Sequence, residues 1–291
     1  MSAEDDVIKY YFHQIAIWRI VTWTIVTLLY IVIYSYIFFG IYDNIEKNKF
    51  HKIMNESLEI PNIYPILFPA KTEHLTSFYY LNVFLATVVA PTYTSSFFIV
   101  TTCMIFGAIQ LKIFQIRIKK IHETAKSAQY ESKEAQYDGD VALVLNEFIR
   151  KHQELIEFIT NLNKTTKYIT FVEFLVSSLN CASIVTSLIK IKSWDANLLI
   201  IITYILALTI QIFAYAWAAN EIKVHSLGIA DALFESDWYH FNKKCRKMVL
   251  IMLMRAQKPL YMSIGPFGSM TNETALLMIK ASYSYVAFMK D

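Results

Sequence analysis

From Leu75 to Leu111 the chain carries no Asp, Glu, Lys or Arg. As a helix this run would be roughly 55 Å long, against a bilayer hydrocarbon core of ~30 Å. It therefore crosses a membrane and continues beyond it on at least one side, with Pro91 bending its outer half. Ile20 to Tyr42 and Ala196 to Asn220 are likewise free of charge. The rest of the composition agrees: hydrophobic residues are 55% and charged residues 18%, below the ~25% usual in soluble domains. The mean hydropathy is +0.37. These values exclude a disordered or collagen-like chain. A net charge of +3 points to no bulk electrostatic partner, nucleic acid included.

Five spans are expected, at 20–42, 78–111, 168–189, 196–220 and 274–289. The first is no signal peptide: it is too long, it follows Glu4, Asp5 and Asp6, and no small-residue cleavage site comes after it. The third span carries Glu173 near its start. A carboxylate there is expensive unless it lies near the interface against protein or lines a water-filled site. The residues 190–195 leave the third and fourth spans only a tight hairpin turn. The last span contains Lys280 and is barely long enough to cross.

Between the fourth and fifth spans, 229–256 reads as one amphipathic helix outside the bilayer. Asp231, Glu235, Asp237, Lys243, Lys244, Arg246 and Lys247 punctuate it. Phe234, Trp238, Phe241, Cys245, Met248 and Met252 recur at three- and four-residue steps. Pro259, Gly265, Pro266 and Gly268 then break the chain.

Positive residues favour the cytosolic side. Lys112, Arg117, Lys119, Lys120, Arg150 and Lys151 lie between the second and third spans, and Lys243, Lys244, Arg246, Lys247, Arg255 and Lys258 follow the fourth. The opposite side holds fewer, chiefly Lys47, Lys49, Lys52 and Lys71. The N-terminus is therefore expected inside and the C-terminus outside. Of the glycosylation sequons at Asn55, Asn163 and Asn272, only Asn55 falls in an expected outer loop.

Catalytic and metal signatures are missing. Cys103, Cys181 and Cys245 stand alone, without metal-ligand spacing, and the seven His are scattered. There is no G-x-x-x-x-G-K-[ST], H-E-x-x-H or G-x-S-x-G. No enzyme and no cofactor is expected.

The C-terminal third carries an ordered set of short motifs: Ala216-Trp217-Ala218-Ala219-Asn220-Glu221, Asp231-Ala232-Leu233-Phe234-Glu235-Ser236-Asp237-Trp238-Tyr239, Met254-Arg255-Ala256-Gln257-Lys258-Pro259-Leu260 and Lys280-Ala281-Ser282-Tyr283-Ser284-Tyr285. In this order and spacing the chain resembles the insect odorant receptors, within the odorant/gustatory receptor superfamily. Tyr64-Pro65 and Phe68-Pro69-Ala70 add to the likeness. The resemblance implies an all-α polytopic bundle and an odorant-gated, nonselective cation channel in the plasma membrane. It implies a tetramer in which an odorant-tuning subunit joins a co-receptor subunit. Cytosolic helices would assemble into an anchor, here with Trp238, Tyr239 and Pro259, and the last helix would line the pore.

Met278, Ala281, Tyr285 and Phe288 share one face of that helix by their 3-4-3 spacing, and Asp291 follows on it. Four such faces could form a narrow apolar ring that gates by dewetting, with a carboxylate at the outer mouth to attract cations. By the resemblance, Phe288 takes the hydrophobic gate position. The implied odorant pocket lies in the outer half of the spans: Tyr30, Tyr34 and Phe38, then Phe84, Val88 and Thr92, then Ile201, Tyr204 and Ile205. Aligned from the C-terminus, the spans correspond to the third to seventh of the family. The resemblance thus implies a chain shortened at its N-terminus, as an incomplete gene model, an isoform or a receptor that has lost function. The moderate length of 112–167 favours a tuning subunit over a co-receptor. A gustatory-type receptor is disfavoured because Ser-Tyr-Ser-Tyr stands without a following Gln-Phe. A G-protein-coupled receptor lacks its Asn-Pro-x-x-Tyr here. A non-conducting fragment that still assembles is the remaining alternative.

Overall fold

The computed structural model describes residues 3–54, 75–121, 134–190, 196–277, 279, 280 and 284. Nearly all of them are helical, with one isolated bridge, Ser263 to Ser269, and no strand among them. Four long helices dominate: α1 (Ala3–Met54), α2 (Leu75–Lys119), α3 (Glu134–Lys190) and α4 (Ala196–Glu235). A shorter α5 (Lys243–Ala256) follows. The chain turns helical again at 272. At 57 residues, α3 is about 85 Å long, so most of it lies outside any bilayer. Three described stretches are long and apolar enough to cross a membrane: Asp5–Ile31, Thr94–Lys119 and Ile201–Glu235. The expected turn at 191–195 and the loop with Asn55 lie outside the described residues.

Pairwise contacts fix the directions. Phe97 meets Tyr215 edge-on at 4.8 Å, Gln115 Nε2 donates to the His225 carbonyl at 2.5 Å, and Lys119 pairs with Glu235. These partners advance together, so α2 and α4 run parallel. Asp6 pairs with Lys120 at 2.7 Å and Trp18 stacks on Trp217 at 4.6 Å, which makes α1 antiparallel to both. His152 stacks on Phe114 and Glu173 meets Ser96, so α3 also runs against α2.

The α2–α4 pair forms the middle of the bundle. One row of buried positions on α2 runs Phe97, Thr101, Met104, Ala108, Leu111, Gln115 and Ile118; one on α4 runs Leu208, Ile212, Tyr215, Ala219, Ile222, Ser226, Ile229 and Leu233. Both rows step alternately by four and three, which is the heptad spacing of a coiled-coil seam. A seam of this period keeps one face toward its partner over many turns. It therefore needs no change of packing between the apolar part of the helices and their charged ends. Gly228 lets α2 come close: a Cβ there would stand 2.7 Å from Gln115 Nε2. Pro91 sits inside an unbroken α2, and the hydroxyls of Thr94 and Ser95 donate to its carbonyl at 2.9 and 2.7 Å.

The single helix expected over 229–256 is two. α4 carries the chain to Glu235, a short 3-10 turn covers Trp238–His240, and α5 starts afresh at Lys243. The break has a local cause. The Ser236 hydroxyl turns back to the Leu233 carbonyl at 2.7 Å, and Asn242 Oδ1 accepts from the Cys245 N–H at 2.8 Å as an N-cap. Phe234 is accordingly not on the buried stripe but exposed, whereas Phe241, Cys245 and Met252 are buried.

Candidate functional site

The segment from 257 to 271 connects α5 to the C-terminal helical stretch and is clamped by α3 and α4. Its own shape is a tight hairpin: Met270 N–H donates to the Met262 carbonyl at 2.7 Å and Ile264 N–H to the Gly268 carbonyl at 2.9 Å. Gly265 and Gly268 hold φ of 51° and 108°, which side-chain-bearing residues rarely adopt. On α3, Asn163 Oδ1 accepts from both the N–H and the hydroxyl of Ser263, at 2.8 and 2.9 Å. One turn on, the Lys167 carbonyl accepts from Gly265 N–H at 3.0 Å, and Phe171 stacks on Phe267 at 5.4 Å. On α4, the Ser226 hydroxyl accepts from Leu260 N–H at 2.9 Å. Leu260, Met262, Ile264 and Met270 are buried beneath these contacts. The hairpin is thus seated by hydrogen bonds on two helices and by apolar burial between them.

The helical stretch that follows begins with reciprocal capping. Thr271 N–H donates to Thr274 Oγ1 at 2.8 Å, and Thr274 N–H to Thr271 Oγ1 at 3.3 Å, the two-way arrangement of a capping box. Asn163 and Thr274, read as sequon residues from the sequence, are therefore both engaged in holding the base of this stretch. The signal for the clamp was the Gly265-Pro266-Phe267-Gly268 turn, but nothing in the sequence named Asn163 and Ser226 as its partners.

The five residues assigned to the pore, Met278, Ala281, Tyr285, Phe288 and Asp291, lie outside the described residues, as does Asn55. Of the pocket residues, Tyr34, Phe38, Phe84 and Val88 are exposed on the described bundle, and Thr92 with them. Tyr30, Ile201, Tyr204 and Ile205 are half-buried; Tyr204 packs against the core and Tyr30 stacks on Tyr34 at 6.0 Å. Of the anchor residues, Trp238 packs partly against the core, and Tyr239 and Pro259 are exposed.

A second polar centre lies higher in the bundle. Glu173 is 7% exposed. The Ser96 hydroxyl donates to its Oε1 at 3.1 Å, and Tyr215 is close by on α4. Glu173 thus faces protein and ties α3 to α2. Lower down, His152 is buried against Phe114, and burial together with the nearby Arg255 pushes its pKa down to about 4. It is neutral at physiological pH. Among the described residues no group of His, Cys, Asp and Glu could hold a metal ion.

Long apolar helices, a seam that passes from an apolar zone into charged surface, and an acid buried only against other helices define a polytopic α-helical membrane protein. The sequence matches the family model for the 7tm odorant receptor over residues 4–283, and the chain belongs to that family. Among curated relatives it is 32% identical to Odorant receptor 10 of Aedes albopictus over 196 residues, which are 67% of this chain and 49% of that protein. It is 27% identical to Odorant receptor Or2 of Anopheles gambiae over 189 residues, again 49% of the relative. The matched part thus spans about half the length of these relatives. The fold is that of the olfactory receptor OR5 of Machilis hrabei, with TM-score 0.70 at 15% identity, over 99% of this chain and 68% of that one. The same receptor solved in complex with eugenol gives 0.69.

Proposed function

We propose that the chain is an odorant-tuning subunit of a ligand-gated, nonselective cation channel that works with a co-receptor subunit. The observation that carries this reading is the clamp. The hairpin between α5 and the last helical stretch holds the base of that stretch against α3 and α4, so a shift of either helix moves that base directly. Five crossings leave the N-terminus in the cytosol and the C-terminus outside the plasma membrane. The last helix lines the pore through Met278, Ala281, Tyr285 and Phe288, with Asp291 at its mouth. A small hydrophobic odorant contacts the outer halves of α1, α2 and α4; of its candidate contacts Tyr34, Phe38, Phe84 and Val88 are exposed on α1 and α2. Leu250, Ile251 and Met254 leave an apolar face exposed on α5, opposite its buried stripe of Cys245, Val249, Met252 and Ala256. An exposed apolar face on a helix outside the spans suits contact with another subunit; Tyr239 before α5 and Pro259 after it are exposed as well.

Co-expression with a co-receptor in oocytes tests the reading. Odorant-evoked cation current, absent with the co-receptor alone, is the expected result. Silence across an odorant panel despite surface delivery leaves the non-conducting fragment as the better description.

A further inference from the structure

Four basic side chains at the lower end of the bundle have carboxylate partners. Lys119 pairs with Glu235, Lys120 with Asp6, and Arg150 and Lys151 share Glu154. Lys164 and Arg255 are among those without one, and they share a groove. Among the described residues neither lies within salt-bridge distance of a carboxylate, and Arg255 Nη1 donates instead to the Lys258 carbonyl at 3.2 Å. Both face one groove of about 450 Å³ between α3 and α5, shared with Gln153, Glu157, Thr160 and Asn161. Its walls therefore offer a guanidinium, an ammonium, two amides and a hydroxyl against a single carboxylate. His152, buried behind Arg255, is neutral and adds no charge.

The height of the groove follows from α3 being one unbroken helix. The apolar run begins at Tyr168, whose ring carries the Lys167 ammonium 4.7 Å from its centroid. Counting down α3 at 1.5 Å per residue puts Lys164 about 6 Å and Thr160 about 12 Å below Tyr168. The headgroup layer is roughly 5–8 Å deep on each side of the hydrocarbon core. Lys164 therefore sits among lipid phosphates. Thr160 lies just beyond them, where only an extended headgroup reaches, and the groove continues below it to Gln153. A planar guanidinium and an ammonium are the two side chains suited to phosphate.

We propose that this groove binds the phosphorylated headgroup of an anionic membrane lipid of the phosphoinositide class. Lys164 takes the phosphate nearest the bilayer, Arg255 takes one carried farther out on the ring, and Asn161 donates to the remaining oxygens. A lipid held there joins α3 to the end of α5, just before the hairpin that seats the C-terminal stretch. The site rests on the membrane placement of α3 and not on odorant gating. The cytosolic orientation proposed above decides only which leaflet supplies the lipid.

The test uses the detergent-solubilised full chain titrated with a fluorescent short-chain phosphatidylinositol bisphosphate, read by anisotropy. Saturable binding is expected, with a phosphatidylcholine analogue inactive. Lys164→Gln with Arg255→Gln should weaken binding about tenfold or more, while Lys243→Gln with Lys244→Gln leaves it unchanged. Glu157→Gln removes the one opposing charge and should tighten binding a few-fold, which gives a signal even if the double variant folds poorly. Equal losses in the two double variants, or no effect of Glu157→Gln, overturn the site. Competition by inositol trisphosphate as strong as by the lipid overturns the lipid assignment in favour of a soluble polyphosphate. None of these outcomes depends on current through the channel, so a silent channel and a failed lipid site are told apart.

Discussion

Glu173 stands where a carboxyl group is hardest to keep, inside an apolar helix run, and it is held there by a hydroxyl rather than by a counter-charge. Ser96 supplies it from α2. Glu173→Gln should keep this node, because an amide still accepts from Ser96. Glu173→Leu takes the acceptor from the Ser96 hydroxyl and should lower stability by about 1–3 kcal/mol, read as the detergent melting temperature. Equal melting of the two variants refutes the node. The sequence left Glu173 between a protein-facing and a water-lined position, because the choice depends on which neighbour presents Ser96. His152 makes the opposite case, a base kept neutral. Its pKa is about 4 when folded against the usual 6.5, so between those values the unfolded chain binds more protons. Stability is complete above the usual histidine value and falls as the pH drops toward the folded one, by up to about 3 kcal/mol. In His152→Gln the melting temperature should vary less over that window; an unchanged slope would show that other groups titrate there.

At the scale of the element, the parallel α2–α4 seam explains why single helices read from the sequence looked featureless. Both are apolar almost all round, so the buried row does not contrast with its neighbours, and a four-three period is invisible without such contrast. The charge-free runs marked where these helices lie, but only the partner reveals the stripe. Cues of the opposite kind misled at 229–256: the apolar steps continue smoothly across Ser236 and Asn242, while the backbone stops and restarts on the side-chain hydrogen bonds these two residues make. The seam's tightest point is Gly228 under Gln115. Gly228→Ala displaces only the flexible end of Gln115, and with it the bond to the His225 carbonyl. Gly228→Leu must in addition part the helices. Overpacking of this kind costs about 1–3 kcal/mol. Leucine should therefore lower the melting temperature well below that of the alanine variant, and similar values for the two would argue that α2 and α4 are looser here than the seam implies.

For the whole molecule, the decisive relation is between the spans and the base of the last helix. Orientation sets which solvent that base meets, and glycopeptide mass spectrometry can read it: Asn55 should be the occupied sequon, with Asn163 and Asn272 bare. A glycan on Asn163 would be doubly informative, since its Oδ1 is committed to Ser263. Coupling is the stronger test. Asn163→Ala leaves the Ser263 N–H and hydroxyl without their acceptor, whereas Ser263→Ala removes only one of the two donors. If the clamp carries movement from α3 to the pore, both variants should shift the odorant concentration–response at matched surface expression, and Asn163→Ala should shift it more. Because the two residues share one acceptor atom, the double variant should shift it little further than Asn163→Ala alone, the non-additivity expected of groups in direct contact. Phe267→Ala, which removes the stack on Phe171 but no hydrogen bond, should act independently and add to Asn163→Ala. Additive Asn163 and Ser263 effects would mean that the hairpin is only a rigid foot, and that the path from α3 to the pore bypasses it.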